Sequence, residues 1–249
     1  MIHRAALWIA LILAAQIPAP PVIPKDHGTV AASTTNGKLR WTANWTMEPW
    51  TANGKKAVRF TETGSGHYSP FSQEVQWNLE SVWLAEGNYV PLQFQKTIRD
   101  KQGRTLAVER KTFDPASGKV NFERKDDKGM ESSSFAAFGN TLTTEGIAGI
   151  LESFPFEDSE AVQTHFLSNE PKLYAVTIES HGKESIKTAA GSVDCYKLEM
   201  VPHLGLANVA KLFYPKTFFW FSVAKPHSWL RYQGLENGPG SPEIVMEAR

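Results

Sequence analysis

From Gln73 to Arg99 the chain alternates with a period of two. Val75, Trp77 and Leu79 fall on one side of an extended backbone. Leu92, Phe94, Lys96 and Ile98 repeat the pattern in the next segment, with Gln93, Gln95, Thr97 and Arg99 on the other face. Successive side chains of a strand point to opposite faces, so this spacing belongs to half-buried antiparallel strands; an amphipathic helix would repeat every three to four residues.

The same reading predicts strands near Leu39–Trp45, Ala57–Thr63, Gln73–Leu84, Tyr89–Arg99, Arg104–Phe113 and Lys119–Arg124. Turn signals separate them. Asp100–Gly103 and Asp114–Gly118 have the composition of short hairpin loops in which the glycine takes a positive φ. Connections this short pair sequential neighbours, which predicts a meander. Lys125–Asn140, polar and rich in small residues, reads as irregular. The strand pattern resumes at Leu173–Glu179, Lys183–Thr188 and Val193–Met200, then at Thr217–Val223, Trp229–Gln233 and Glu243–Ala248. Two helical windows interrupt it. In the first, Ile147, Ile150, Leu151 and Phe154 recur at helical spacing, with Thr144 as N-cap, Glu145 in the first turn and Pro155 as the stop; the second is Leu206–Phe213, closed by Pro215. The expected fold is mainly β, a large curved antiparallel sheet forming a half-barrel or open barrel with two short helical insertions. A sheet of about a dozen strands tends to curl, split or close.

Met1–Ala15 reads as a signal peptide, with Arg4 as the positive n-region and Ala5–Ala15 as the apolar h-region. That run is shorter than the ~20 residues a membrane-spanning helix needs. Residues 16–37, with Pro20, Pro21 and Pro24, read as an extended spacer, and 38–249 as one β domain. The expected location is therefore outside the cytoplasm, in the periplasm or beyond, with no transmembrane segment after signal cleavage. The 249 residues carry 26 basic and 26 acidic side chains, so no basic face points to nucleic acid. Cys195 is the only cysteine and rules out an internal disulfide; it sits in the strand-like run Ser192–Met200, where a buried thiol is the simpler reading than a nucleophile.

Catalytic patterns are missing. The nucleophile-elbow spacing G-x-S-x-G does not occur, and Gly64-Ser65-Gly66 and Gly191-Ser192 are turn-like. His67, His165, His181, His203 and His227 are scattered singly, without metal-ligand spacing. Of the paired carboxylates, Asp126-Asp127 lies between lysines in a hydrophilic loop and Glu157-Asp158 follows a helix-stopping proline; neither makes an acid–base pair. No phosphate-binding glycine loop is present, so no cofactor or metal is implied. A hydrolase would need His67 or His227 to meet a carboxylate.

The aromatic residues carry the remaining signal. Trp41, Trp45, Trp50, Trp77, Trp83, Trp220 and Trp229 accompany the run Thr217-Phe218-Phe219-Trp220-Phe221-Ser222, which loads both faces of one strand. Ligand pockets are largely apolar and aromatic, though each tryptophan alone is better explained by core or rim packing. Trp77, Phe94, Ile147, Ile150, Leu151, Phe213, Phe218 and Trp220 are the candidate ligand-binding residues. The Leu206–Phe213 helix is the expected cover for one face of the aromatic strand.

Gly182-Lys183-Glu184, the run Thr188-Ala189-Ala190-Gly191-Ser192-Val193-Asp194-Cys195-Tyr196-Lys197-Leu198 and the late Phe219-Trp220-Phe221-Ser222 resemble a secreted bacterial family, domain of unknown function 3108. Its members pair such a hairpin with a late "fWfs" strand, and Leu92–Gly118 fits its N-terminal half. The resemblance covers most of residues 38–248. It implies an exported β protein similar to periplasmic lipoprotein-carrier folds, in which a curved sheet surrounds an apolar cavity. It carries over no catalytic residue. The leading expectation is a non-enzymatic envelope protein that holds a lipid or lipoprotein acyl chain. The alternatives are an envelope assembly factor with a filled core and an unrecognised hydrolase.

Overall fold

The computed structural model describes residues 17, 25–86, 88–137, 141–188, 191–203 and 215–249. They form one open sheet of fifteen strands. The first eight are β1 (Asp26–Thr34), β2 (Leu39–Ala52), β3 (Lys55–His67), β4 (Glu74–Glu86), β5 (Asn88–Asp100), β6 (Thr105–Asp114), β7 (Lys119–Asp126) and β8 (Gly129–Ala136). The short strand β9 (Thr141–Thr143), helix α1 (Ile147–Leu151) and β10 (Ala161–Leu167) follow. The chain ends with β11 (Leu173–Thr188), β12 (Gly191–Pro202), β13 (Thr217–Ser222), β14 (Trp229–Leu235) and β15 (Glu243–Ala248).

The spatial order runs from β8 back to β1, then from β15 back to β9. Two meanders therefore meet where β1 pairs with β15, with Val30 opposite Ala248 and Thr34 opposite Ile244. Every pairing is antiparallel except β9 with β10. A parallel pair needs a crossover, and α1 lies within this one.

The two arms curl toward each other. One core cluster joins Val58, Trp83 and Tyr89 of the first arm to Val176, Ile178, Leu198, Phe219 and Phe221 of the second. A smaller one joins Phe113 and Val120 to Leu167. In-phase residues build the concave face: Trp77 stands opposite Gly64 and Ile98, and Leu79 stands between Glu62 and Lys96.

Several expectations change. β1 lies inside the segment read as spacer, and its Val30 and Ala32 are core residues, so the sheet begins well before residue 38. β8 occupies the segment read as irregular; its Ser132–Ser134 run has little apolar periodicity because β8 is an edge strand and largely exposed. The segments Leu173–Glu179 and Lys183–Thr188 are one strand with a register shift at Ser180/Lys183. Helix α1 is a single short turn. Its N-cap is Gly146 at φ 75, without a side-chain cap, so Thr144 does not cap it and Glu145 is not in its first turn. Among the described residues α1 is the one α-helix. The Leu206–Phe213 window, the signal segment and most of the proline-rich stretch lie outside the described residues.

Candidate cavity

Among the described residues the curled sheet bounds an open cavity of about 900 Å³. Its wall comes from the concave residues Val30, Trp45, Met47, Phe60, Phe219, Tyr232 and Met246. At one end α1 forms the floor through Ile147, Ala148 and Gly149. Gly149 permits this seat: a Cβ there would lie 3.1 Å from the Met47 sulfur, and one on Gly146 would lie 2.2 Å from the Trp83 ring. At the other end lie the hairpin turns, with Ser168 and Asn169 after β10 and Asn237 to Pro239 after β14. Alternation along β11–β13 puts Ile178, Leu198 and Phe219 on the concave face and Glu179, Glu199 and Phe218 on the convex one. Glu179, His181 and Glu199 are nevertheless among its described lining residues, so the cavity reaches the convex side there.

Carboxylates punctuate this largely apolar lining. At the mouth, Glu236 is matched: Arg40 donates to both its oxygens at 2.8 Å, and Trp41 Nε1 and the Ser69 N–H each donate at 2.8 Å. Glu199 faces His181 Nε2 at 2.9 Å and accepts from Lys216 Nζ at 3.1 Å. Deeper in the cavity the pattern differs. Glu62, on the β3 wall, accepts from Trp77 Nε1 at 2.7 Å. Burial pushes its carboxyl above the ordinary range, against the pull of Lys96 and the indole N–H. Glu152, after α1, accepts from the Trp229 N–H at 2.9 Å, and burial pushes it up to about 7.

Behind Glu62 a polar row crosses the first arm. Lys96 Nζ sits 3.9 Å above the Tyr68 ring, and Glu109, opposite Lys96, lies 3.7 Å from Arg124. One pleat further, Lys111 Nζ meets Glu145 at 3.0 Å, both buried, and rests 4.5 Å from the Phe94 ring. Glu145 thereby ties the start of the α1 segment to β6. Sequence reasoning missed Glu62, Lys111 and Glu152, and read Glu145 only as a helix first-turn residue. Lys96, in phase with Phe94 and Ile98, was the one visible sign that charge enters this face.

The candidate residues separate. Ile147 lines the cavity. Ile150 and Leu151 are buried behind it in the core. Trp77 and Phe94 are core residues beneath the polar row, Trp77 meeting Trp41 edge-on at 5.4 Å. Trp220 lies on the convex face with Ile186 and Cys195, and Phe218 packs against that cluster. Lys197 Nζ covers the Phe218 ring at 4.4 Å and the Trp220 ring at 5.3 Å. Phe213 lies outside the described residues.

Cys195 is buried, and burial pushes its thiol up to about 11, which suits packing rather than nucleophilic chemistry. His67 approaches Glu74 at 3.6 Å on an exposed surface, whereas His227 Nδ1 donates to the Ser222 carbonyl at 3.0 Å. Asp126 and Asp127 fall at the β7–β8 turn. Among the described residues no group of three or more His, Cys, Asp or Glu is placed to hold a metal ion, and no helix is long and apolar enough to cross a membrane.

No curated protein matches the chain. A solved structure from Bacteroides fragilis, of a protein with a YmcC-like fold whose description takes it to be exported, is similar at 13% sequence identity and a TM-score of 0.30, over 94% of this chain and 98% of that one. The family described as protein of unknown function DUF3108 matches residues 30–246, nearly the whole sheet from β1 to β15. The chain belongs to the DUF3108 family.

Proposed function

We propose that this is an exported, non-enzymatic cell-envelope protein that holds an acyl-chain-like ligand inside its curled sheet. The cavity of about 900 Å³ carries this reading, because a volume of that size, walled by Trp45, Phe60, Met47 and Phe219, matches the ~300–1,000 Å³ of small-molecule sites. Interiors normally pack to crystal density, so an open apolar pocket of this size among the described residues supports a carrier over an assembly factor with a filled core. The n-region and h-region of Met1–Ala15 support export. For the hydrolase alternative, His227 faces a main-chain carbonyl and His67 meets its carboxylate outside the cavity, whereas His181 does meet a lining carboxylate, Glu199, which Lys216 also contacts.

Native mass spectrometry of the protein, purified from its own periplasm without detergent, tests the reading. Extra mass that organic extraction removes is the expected result. A bare polypeptide mass together with no uptake of a neutral hydrophobic dye would overturn it.

A further inference from the structure

Among the described residues the open sheet leaves one long edge unpaired. At its other end β9 has three residues, all buried, and offers no accessible edge. β8 runs for eight residues, pairs with β7 alone and is exposed along most of its length. Its orientation is fixed at the rim, because Phe135 packs inward against the cluster of Phe113, Val120 and Leu167. The two-residue turn Asp127-Lys128 makes Asp126 and Gly129 a hydrogen-bonded pair, and the antiparallel ladder alternates from there. The N–H and C=O groups of Met130, Ser132, Ser134 and Ala136 therefore turn away from β7, toward the free edge. Sheet proteins usually protect such an edge with charged side chains, proline or a bulge. β8 has no lysine, arginine or proline, and its pairing with β7 runs without a register shift. Its single charge, Glu131, stands opposite Arg124. Met130, 68% exposed, adds an apolar side chain beside the edge.

We propose that β8 is a dimerisation edge, which pairs antiparallel with β8 of a second copy of this chain about a two-fold axis at Ser133. Unpaired main-chain groups specify an extended strand as the occupant, and a second copy supplies one that is complementary by symmetry. In this register Ser132 stands opposite Ser134 of the second copy, and Met130 opposite its Ala136. Every outward main-chain group on both strands then finds a partner. Glu131 stands opposite Phe135 of the second copy, so no like charges meet, and the serines hydrogen-bond across the seam. Centring the axis on Ser132 instead would place Ala136 opposite Lys128, which lies outside the strand. β8 contributes no residue to the cavity lining, so the pairing stands apart from the carrier reading.

Sedimentation equilibrium of the full mature chain, without detergent, tests this. A dimer that dissociates on dilution is expected. Ser134→Pro should weaken it at least tenfold, because it removes an outward N–H from an edge strand, where proline is tolerated. Ser132→Lys, which adds an edge lysine, should do the same, and it replaces the proline variant if thermal unfolding shows that the latter does not fold. Ser133→Cys reads the register. At the two-fold the Cα atoms of this non-hydrogen-bonded pair would lie about 4.5 Å apart, inside the ~4.4–6.8 Å span of a disulfide. Mild oxidation should therefore link Ser133→Cys into a covalent dimer, while the wild type, with Cys195 buried, stays unlinked. A dimer that survives both edge variants, or no cross-link through Ser133→Cys, would overturn the proposal. A monomer at every concentration would also overturn it and would leave the edge to a strand of another protein.

Discussion

Glu152 shows how one buried carboxyl can shape the behaviour of the whole protein. Its value in the unfolded chain is 4.5, and burial beside Asp26 raises it to about 7 despite the hydrogen bond from the Trp229 N–H. The folded state therefore holds this proton more tightly than the unfolded state does. Stability from this group is complete below about pH 4.5 and is lost as pH rises toward 7. Part of the side chain faces the cavity, so the loss is about 2 kcal/mol rather than the full value of the shift. Glu62 is shifted the same way and adds to the slope. Urea denaturation from pH 5 to 8 should show wild type losing ground to Glu152→Gln, with the two converging at the acid end; parallel curves would exclude a desolvated Glu152. The Lys111–Glu145 pair poses the opposite problem, since both charges are buried and matched at 3.0 Å. Lys111→Met alone strands a carboxylate in the core and should cost about 3–5 kcal/mol, whereas K111M/E145L should recover most of that, because a matched buried pair contributes little net stability. A double-mutant cycle by chemical denaturation measures the coupling.

At the scale of elements, what could be read from the sequence depended on how strongly each segment is driven by one face. β4 and β5 were plain because Val75, Trp77 and Leu79 and then Phe94 and Ile98 are buried in phase. β8 was hidden because an edge strand with a Ser132–Ser134 run buries little, and its place comes from pairing with β7 rather than from its own pattern. The helix expected to cover one face of the aromatic strand lies outside the described residues; among those described, Lys197 lies over the Phe218 and Trp220 rings, a contact set by the register of β12 and β13 that single-sequence spacing does not reveal. Of the site, Ile147 was legible as part of an apolar helical stripe. Glu62, Glu145, Lys111 and Glu152 were not, because a charged residue on a strand or beside a helix ordinarily faces water. Gly64 marks a related blind spot. In sequence it belongs to a turn-like Gly64-Ser65-Gly66; in the fold it is a mid-strand residue opposite Trp77. A Cβ there would sit 2.1 Å from the indole Cζ2, in a ring already held by Glu62 and Trp41. Gly64→Ala should therefore cost about 3 kcal/mol through overpacking and displace the ring. Denaturant titration and near-ultraviolet circular dichroism test this; Trp77→Phe in the same background should return part of the loss.

For the molecule as a whole, the open sheet raises the question of what stops its two arms from swinging apart. The β1–β15 seam joins them along one line, and a seam alone would let the curvature, and with it the cavity volume, vary. Contacts across the concave side oppose this, beside the Lys111–Glu145 pair that ties the α1 segment to β6. The larger core cluster unites Trp83 and Val58 with Phe219 and Leu198 near the floor, and Leu167 of β10 packs against Phe113 and Val120 of β6 and β7 further along. Leu167 and Val120 are both fully buried, although their strands lie far apart in the order of the sheet. Leu167→Ala removes a buried side chain where β10 meets β6 and β7, and should cost about 2–5 kcal/mol. Its distinguishing effect should be spatial. If the arms are clamped there, hydrogen exchange will quicken together in β6, β7 and β10 while the β1–β15 seam keeps its protection, and Nile red uptake will weaken because the cavity loses its fixed width. If exchange quickens in β10 alone, the arms are held by the floor cluster, and the Leu167 contact is packing without a role in shaping the cavity.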